Sequence, residues 1–252
     1  MKLESILQYL DGYLAVSGHP DSRGALNGLQ VDGPAEIQHV VAAVDASEAS
    51  ITAAVELGAD FMIVHHGLFW GGLEPLVGRH YRKVRRLMEG NVALYSCHLP
   101  LDSHSEVGNC AQLARALGLD VQGQFGAYEG VNIGWWGTMP EATTVPGLAA
   151  TLEEVLEGSV HVIPGGPERV ERVGVITGSG ASFIADAVDA SLDALVTGEG
   201  NHHAHFDAME LGMTVLFGGH YATETFGVRA LAAHLEERFE LTWDFVDQPT
   251  GL

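Results

Sequence analysis

The 252-residue sequence contains only two cysteines, Cys97 and Cys110, which are too few for a disulfide framework. A reducing, cytoplasmic location is therefore expected. No stretch has the length and charge pattern of a signal peptide or a membrane span. Met1–Glu4 instead leads directly into an amphipathic helix, so no membrane association is expected.

Basic residues are also scarce, because 12 lysines and arginines stand against 33 aspartates and glutamates, a formal net charge of −21. A surface this acidic repels nucleic acid and anionic membranes, so neither is expected as a partner. Five of the 12 basic residues nevertheless lie within residues 79–86. They form a solvated helix face, pair with acidic residues of a neighbouring subunit, or dock a phosphate-bearing substrate. The first two alternatives are favoured, because charge runs are usually solvated.

Apolar runs of strand length alternate with helical segments along the whole chain. In the first half, Val40–Val44 ends at Asp45, Phe61–Val64 ends at His65-His66, and Val92–Tyr95 precedes His98. This alternation predicts an α/β fold of two pseudo-symmetric halves, residues 1–125 and 126–252, with mostly parallel sheets covered by helices. In such sheets ligands bind at the carboxyl ends of the strands. A shared site between the two halves is therefore expected.

The two halves form an internal repeat. Asp60–His66 aligns with Asp193–Glu199, and His98–Asp102 aligns with His220–Glu224. Both halves thus carry a histidine and a carboxylate four residues apart after their third strand. Related βαβ units explain the matching strands and helices, but they explain less well why polar residues recur at matched positions.

His220 and Glu224 are four residues apart at the start of a predicted helix, so both side chains lie on one face. An imidazole and a carboxylate on one face suit zinc, iron or manganese. His65 and His66 are adjacent, so their side chains diverge and serve two ions more easily than one. Asp102 is expected to hold the first ion and His220 the second, with Glu224 as the bridging carboxylate.

Pro100 is expected to keep Leu99 extended, which places His98 and Asp102 in a loop rather than on a helix. His98 is then either a ligand or a residue that orients Asp102.

Other chemically capable residues are assigned less specific roles. Trp135 and Trp136 are expected in the core rather than as a stacking platform, and Cys97 is expected as a buried thiol. The Gly178–Gly180 turn could take a phosphate. The histidines His202, His203 and His205 either line the site or are ordinary surface residues.

Several separated blocks of the sequence resemble one family, the Nif-three-like dinuclear metal-centre proteins, often labelled GTP cyclohydrolase I type 2 homologues. These blocks are Asn27–Val31, His65–Trp70, Cys97–Asp102 with Glu106–Asn109, Thr197–Glu199 and Gly219–Glu224. They agree in order and spacing over nearly the whole chain. The sequence is similar to the short form of the family, without an inserted domain.

The resemblance implies a two-metal site between two α/β halves and a ring-shaped homohexamer. Carried over position by position, the family's ligands fall on His65, His66, Asp102, His220 and Glu224. The function expected is a metal-dependent hydrolase, either GTP cyclohydrolase-like or a phosphoesterase. It would use a metal-bridging hydroxide on a nucleotide or pterin-related substrate, with His98 as a catalytic residue. The alternative is a non-catalytic metal-binding or regulatory ring protein.

Overall fold

The computed structural model describes residues 1–70 and 72–251, so that Gly71 of the glycine-rich segment and Leu252 lie outside the described residues. The chain divides into two compact units. The first unit contains Met1–Leu101 and Gly227–Gln248, and the second contains Asp102–Phe226 and the residues from Pro249 on. These limits differ from the predicted boundary at residues 125 and 126, because Asn109–Ala116 and Asp120–Tyr128 pack with the second sheet, and the last strand of the chain pairs with the first.

The described residues contain the following elements. The strands are β1 (Gly28–Val31), β2 (His39–Asp45), β3 (Phe61–His66), β4 (Ala93–Ser96), β5 (Asp120–Tyr128), β6 (Val131–Thr144), β7 (His161–Pro164), β8 (Arg169–Val175), β9 (Ala194–Thr197), β10 (Thr214–Phe217) and β11 (Thr242–Phe245). The helices are α1 (Leu3–Tyr13), α2 (Glu48–Glu56), α3 (Gly78–Gly90), α4 (Leu99–Asp102), α5 (Asn109–Ala116), α6 (Val145–Leu156), α7 (Ile184–Asp189), α8 (Ala204–Leu211), α9 (His220–Thr223) and α10 (Thr225–Phe239).

The first unit is built on a five-stranded sheet of order β1-β4-β3-β2-β11. Strands β2, β3, β4 and β11 run parallel, and β1 is antiparallel to β4. Ile51 of α2 and Leu87 of α3 are fully buried against Val41, Val64 and Leu94 of the sheet. The continuous apolar runs predicted as strands are therefore buried on the sheet, as expected for parallel strands covered by helices.

The second unit is built on a six-stranded sheet of order β5-β6-β8-β9-β10-β7. Its centre, β8-β9-β10, is parallel, and antiparallel strands flank it on both sides. Leu113 of α5 and Leu148 of α6 are fully buried against Val173 of the sheet. Both units therefore combine α-helices with a sheet that has a parallel centre, which confirms the predicted α/β class.

The structure departs from the sequence prediction at Pro100. Leu99–Asp102 forms one helical turn, so the prediction that this segment is a loop is wrong. Proline is tolerated in the first turn of a helix, because the N–H that it lacks has no intrahelical partner there. His98 lies just before this turn, and its carbonyl accepts from the N–H of Leu101 at 2.9 Å.

The internal repeat is visible in one pair of aspartates. Oδ2 of Asp60 accepts from the backbone N–H groups of Gln38 and His39, at 2.8 and 3.1 Å. Oδ2 of Asp193 accepts from those of Glu171 and Arg172, at 2.9 and 2.8 Å. Each carboxylate thus joins the start of one parallel strand to the next, at the positions that the sequence alignment matched.

Replacing either aspartate with alanine is expected to lower the free energy of unfolding by about 2 kcal/mol, since each change removes two hydrogen bonds to a charged acceptor. The Asp60→Asn and Asp193→Asn variants keep one carbonyl acceptor and should lose less. Urea unfolding of all four variants measures these differences. A neutral effect of both alanine substitutions would show that the two aspartates are not structural.

Candidate metal centre

Three histidines of the first unit converge at the carboxyl ends of its central strands. His65 and His66 end β3, and His98 follows β4, the neighbouring parallel strand. One ligand atom from each of the three residues lies within 4.8 Å of the other two. His65 is fully buried, whereas His66 and His98 are half-buried. The pairing of β3 with β4 therefore brings together side chains that are far apart in the sequence.

Each of these imidazoles is held by its Nδ1 atom. Nδ1 of His65 donates to the carbonyl of Cys97 at 3.0 Å, and Nδ1 of His66 donates to Oδ1 of Asp45 at 2.9 Å. Nδ1 of His98 donates to Oδ1 of Asp21 at 2.6 Å. An acceptor at Nδ1 selects the tautomer whose Nε2 carries the lone pair, which is how metal-ligating histidines are usually oriented. The donor set therefore fits a divalent ion of the zinc, iron or manganese type.

Asp21 holds the His98 segment through several contacts. Its Oδ2 accepts from the side chain of Asn27 at 2.7 Å and from the backbone N–H of Leu99 at 3.1 Å. Oδ1 of Asn27 in turn accepts from the backbone N–H of His98 at 2.8 Å. Burial raises the pKa of the Asp21 carboxyl, but the hydrogen bonds from His98, Asn27 and the backbone of Ser22 outweigh it and lower the pKa overall. Asp21 is therefore an anionic positioning residue.

Two further residues pack around the histidine cluster. The Trp70 ring meets His98 edge-on, with 4.8 Å between ring centroids, and its Nε1 donates to the carbonyl of Gly67 at 2.9 Å. A Cβ atom on Gly67 would lie 2.3 Å from Nε2 of Gln30, so this position has no room for a side chain. Trp70 and Gly67 thus fix the path of the backbone after His66.

The second unit contains His220 and Glu224 as a contacting pair. Nε2 of His220 lies 3.1 Å from Oε2 of Glu224, and Nδ1 of His220 lies 2.9 Å from Oε1 of Glu199. The helix predicted to continue from His220 is interrupted, because α9 ends at Thr223 and α10 begins at Thr225. The two side chains still meet, since the spacing of four residues survives the interruption.

Carboxylates at both ring nitrogens control the charge of His220. The hydrogen bond with Glu224 raises its pKa most, burial opposes this, and Glu199 raises it further, to about 9. Hydrogen bonds from Ser179 and His220 lower the pKa of Glu199. Without a metal ion, His220 is thus an imidazolium between the carboxylates of Glu199 and Glu224. A divalent cation could replace the proton of this imidazolium.

Asp102, the remaining predicted ligand, is buried in the second unit. Its Oδ1 accepts from Nδ2 of Asn109 at 2.9 Å and from the hydroxyl of Thr177 at 3.1 Å. The predicted site residues therefore fall into two sets. His65, His66 and His98 belong to the first unit, whereas Asp102, His220 and Glu224 belong to the second. A dinuclear centre that uses ligands of both units stays a prediction.

The basic run of residues 79–86 lies on α3, and three of its five cations have carboxylate partners in the same chain. Arg82 makes a two-pronged ion pair with Glu48 of α2, at 2.6 and 2.7 Å. Arg85 pairs with Glu89 at 2.8 Å, and Arg86 lies 4.0 Å from Glu56. These intrachain pairs favour a carboxylate-paired helix face over a phosphate-docking patch.

The Gly178–Gly180 turn also has internal partners. The N–H of Gly178 donates to the hydroxyl of Thr223, and the N–H of Gly180 donates to that of Thr197. These two N–H groups are thus used within the protein rather than offered to a phosphate. Trp135 packs against the hydrophobic core of the second unit, as predicted, whereas Trp136 is half-buried and lies under the guanidinium of Arg172 at 4.3 Å.

The two cysteines are buried thiols. Burial, followed by the negative charge of Asp102, raises the pKa of Cys110 to about 12. Neither thiol is expected to react with an aromatic disulfide reagent in the native protein at pH 8, because the thiolate is the reactive species. Both should react after denaturation in guanidinium. Rapid reaction of Cys110 in the native protein would contradict its burial.

Comparison with known proteins places these residues in context. Residues 1–250 match the family model described as Duf34/NIF3 (NGG1p interacting factor 3). A relative in Deinococcus radiodurans, named GTP cyclohydrolase 1 type 2 homolog, is 43% identical over 249 residues, which cover 99% of this chain and 94% of the relative. A relative of the same name in Halobacterium salinarum is 42% identical, with 100% of both chains covered.

Solved structures agree with this match. A crystal structure of a Thermus thermophilus protein is similar over 100% of both chains, with a TM-score of 0.90 and 44% sequence identity. Reduced HcgD from Methanocaldococcus jannaschii is similar over 98% of both chains, with a TM-score of 0.81 and 26% identity. Among the described residues, every helix is too short or too polar to cross a lipid bilayer.

Proposed function

The chain belongs to the Duf34/NIF3 family, and from this premise we propose that it is a dinuclear metal-dependent hydrolase. The proposed substrate is a nucleotide or pterin-related molecule, in agreement with the cyclohydrolase name of its relatives. One observation carries the proposal. The imidazoles of His65, His66 and His98 bring ligand atoms within 4.8 Å of one another, and each ring is oriented by an acceptor at Nδ1.

The proposed ligands are His65, His66, Asp102, His220 and Glu224, with Glu224 shared between two ions. Five protein ligands leave coordination positions for substrate and water, which favours an active centre over a closed structural site. Divalent ions bound there would supply Lewis acidity and lower the pKa of a water molecule. The identity of the native ion is assigned by the donor types alone, as zinc, iron or manganese.

The residues of this chain contribute orientation and proton handling. Asp45 and the Cys97 carbonyl hold His66 and His65 in the tautomer whose Nε2 carries the lone pair. Asp21 holds His98 in the same way, so that Nε2 of His98 is proposed either to bind an ion or to accept a proton from the attacking water. Asn109 and Thr177 fix the carboxylate of Asp102.

A second candidate is a non-catalytic metal-binding or regulatory ring protein. The family description, which names an interacting factor, favours this alternative. Both candidates include a homohexamer, which the family resemblance suggests and light scattering of the purified protein would test. A cytoplasmic location is proposed on the scarcity of cysteine.

The decisive experiment begins with anaerobic metal analysis of the native protein. Turnover of GTP, pterins and phosphodiesters is then measured with manganese, zinc or iron added. Hydrolysis that requires the metal supports the first candidate. Full metal loading without turnover of any substrate class would favour the second.

The Glu224→Gln variant tests the proposed bridging role. The amide keeps the shape of the side chain but removes the negative charge that two cations would share, so the bound metal is expected to fall from two ions to one or none per chain. Metal content per chain is measured by plasma mass spectrometry. Wild-type metal content in this variant would show that Glu224 is not a bridge.

A further inference from the structure

The second unit contains a cavity of about 530 Å³ outside the set of candidate metal ligands. Its walls come from the start of β7, the segment after β9, the start of α8 and the end of β10. The lining side chains that matter here are His161, Glu199, Asn201, His202, His205 and Phe217. The volume lies in the range of small-molecule sites, which is about 300–1,000 Å³.

One wall of this cavity is aromatic. The rings of His161 and Phe217 are nearly parallel, with 6.1 Å between centroids and 22° between planes. A Cβ atom on Gly200 would lie 2.6 Å from Cβ of Ala181 and 2.8 Å from Cε1 of Phe217, so a glycine lets the backbone pass close to both side chains. Both rings line the cavity, and an aromatic face that borders a cavity is a surface on which a planar ring can stack.

The other walls carry hydrogen-bonding groups of both kinds. His202 and His205 each meet the ring of Phe206 edge-on, at 5.6 and 5.5 Å, and this contact orients both imidazoles. Imidazole and amide side chains offer donors as well as acceptors. The Glu199 carboxylate is 48% exposed and offers acceptors only, with Ser179 and His220 already bound to its Oε1 atom.

A flat aromatic wall, imidazole donors and one carboxylate define the complementary ligand. We propose that this cavity binds an amino-substituted aromatic nitrogen heterocycle. The ring stacks on His161 and Phe217, its N–H edge points to Glu199, and its acceptors face His202 and His205. The proposal rests on the proposed function in one respect, because the heterocycle would be the recognised part of the substrate. Since Glu199 also contacts His220, the cavity adjoins a candidate metal ligand.

Calorimetric titration of the full chain, freed of metal with a chelator so that nothing is turned over, tests the binding directly. Guanosine 5′-monophosphate carries the ring and its amino group, inosine 5′-monophosphate lacks the amino group, and ribose 5-phosphate lacks the ring. The guanosine compound should bind at least about tenfold more tightly than either, because a site built to accept an N–H bond rejects an analogue without it. Equal affinities, or no binding at millimolar concentrations, would overturn the proposal.

Four alanine variants locate the binding. His161→Ala, His202→Ala and His205→Ala each change an exposed residue that lines the cavity, so folding is preserved, and each should weaken binding by about threefold or more. His203→Ala is the matched control, since His203 is an exposed neighbour outside the lining. A loss confined to His203→Ala, or shared equally by all four variants, would contradict the assignment.

Turnover assays of the metal-loaded wild-type protein and of the three lining variants, set beside these titrations, separate this proposal from the proposed function. If binding depends on the ring, is weakened in the three lining variants and is accompanied by no turnover, the cavity proposal is supported and the hydrolase proposal is contradicted. If a heterocyclic substrate is turned over with an unchanged KM in all three lining variants, the hydrolase proposal is supported and the cavity proposal is contradicted.

Discussion

If the proposed metal centre is correct, the His65→Ala variant is expected to bind divalent metal far more weakly than the wild-type protein. His65 is fully buried, and its ring centroid lies 4.7 Å from that of His66 and 4.9 Å from that of His98. Loss of a residue that only orients a ligand typically costs 10–100-fold in metal affinity. Loss of the ligand itself should therefore cost at least about a hundredfold. Manganese titration followed by calorimetry measures this change.

His80→Ala is a suitable control for this variant. His80 belongs to the same unit, packs edge-on against Phe69 and is not one of the candidate ligands, so its loss should leave metal affinity unchanged. Circular dichroism of both variants without metal shows whether each is folded. Wild-type metal affinity in a folded His65→Ala protein would show that His65 is not a metal ligand.

The Gly178→Ala variant is expected to disturb both the stability of the second unit and its metal binding. Gly178 has a φ of +62°, and a Cβ atom there would lie 2.1 Å from Oε1 of Glu224 and 3.2 Å from Nε2 of His220. The left-handed conformation costs about 1–2 kcal/mol for a non-glycine residue, and the overlap costs about 1–3 kcal/mol more. Since Glu224 must move, metal affinity should fall together with stability.

Gly118→Ala separates the two contributions. Gly118 also has a positive φ, +77°, but a Cβ atom there would have no neighbour within 4 Å. This variant should show only the cost of the left-handed conformation and retain wild-type metal affinity. Urea unfolding and metal titration of both variants provide the comparison. Identical losses in the two variants would mean that Glu224 does not contact the added methyl group.

The parts of the fold that could be predicted from the sequence are those with a strong local signal. The parallel strands read as continuous apolar runs, because both of their faces are buried. Strand β5 carries no such run, since exposed and half-buried positions alternate along most of it and two glycines interrupt it. Strand β7 has only four residues and ends at Pro164. The apolar pattern predicts neither strand, because β5 is defined by its hairpin pairing with β6 and β7 by its pairing with β10, much later in the chain.

The candidate site divides in the same way. The contact between His220 and Glu224 follows from their spacing of four residues, and adjacent histidines at a strand end are visible by inspection. Asp21 could not be predicted, because it lies 77 residues before His98 and no spacing rule connects them. His202 and His205 stand out in the sequence as part of a histidine-rich segment, but only the positions of β7 and β10 show that they line a cavity.

Strand β11 has a consequence for how the protein folds during its synthesis. Its residues Thr242–Phe245 pair with His39–Ala42 of β2, so the first sheet takes an edge strand from a late part of the chain. A nascent polypeptide that has left the ribosome only as far as Phe226 exposes the β2 edge, which invites wrong pairing with other chains. The sheet of the second unit is contained within residues 120–217. It can therefore form before the last strand of the first sheet has been synthesised.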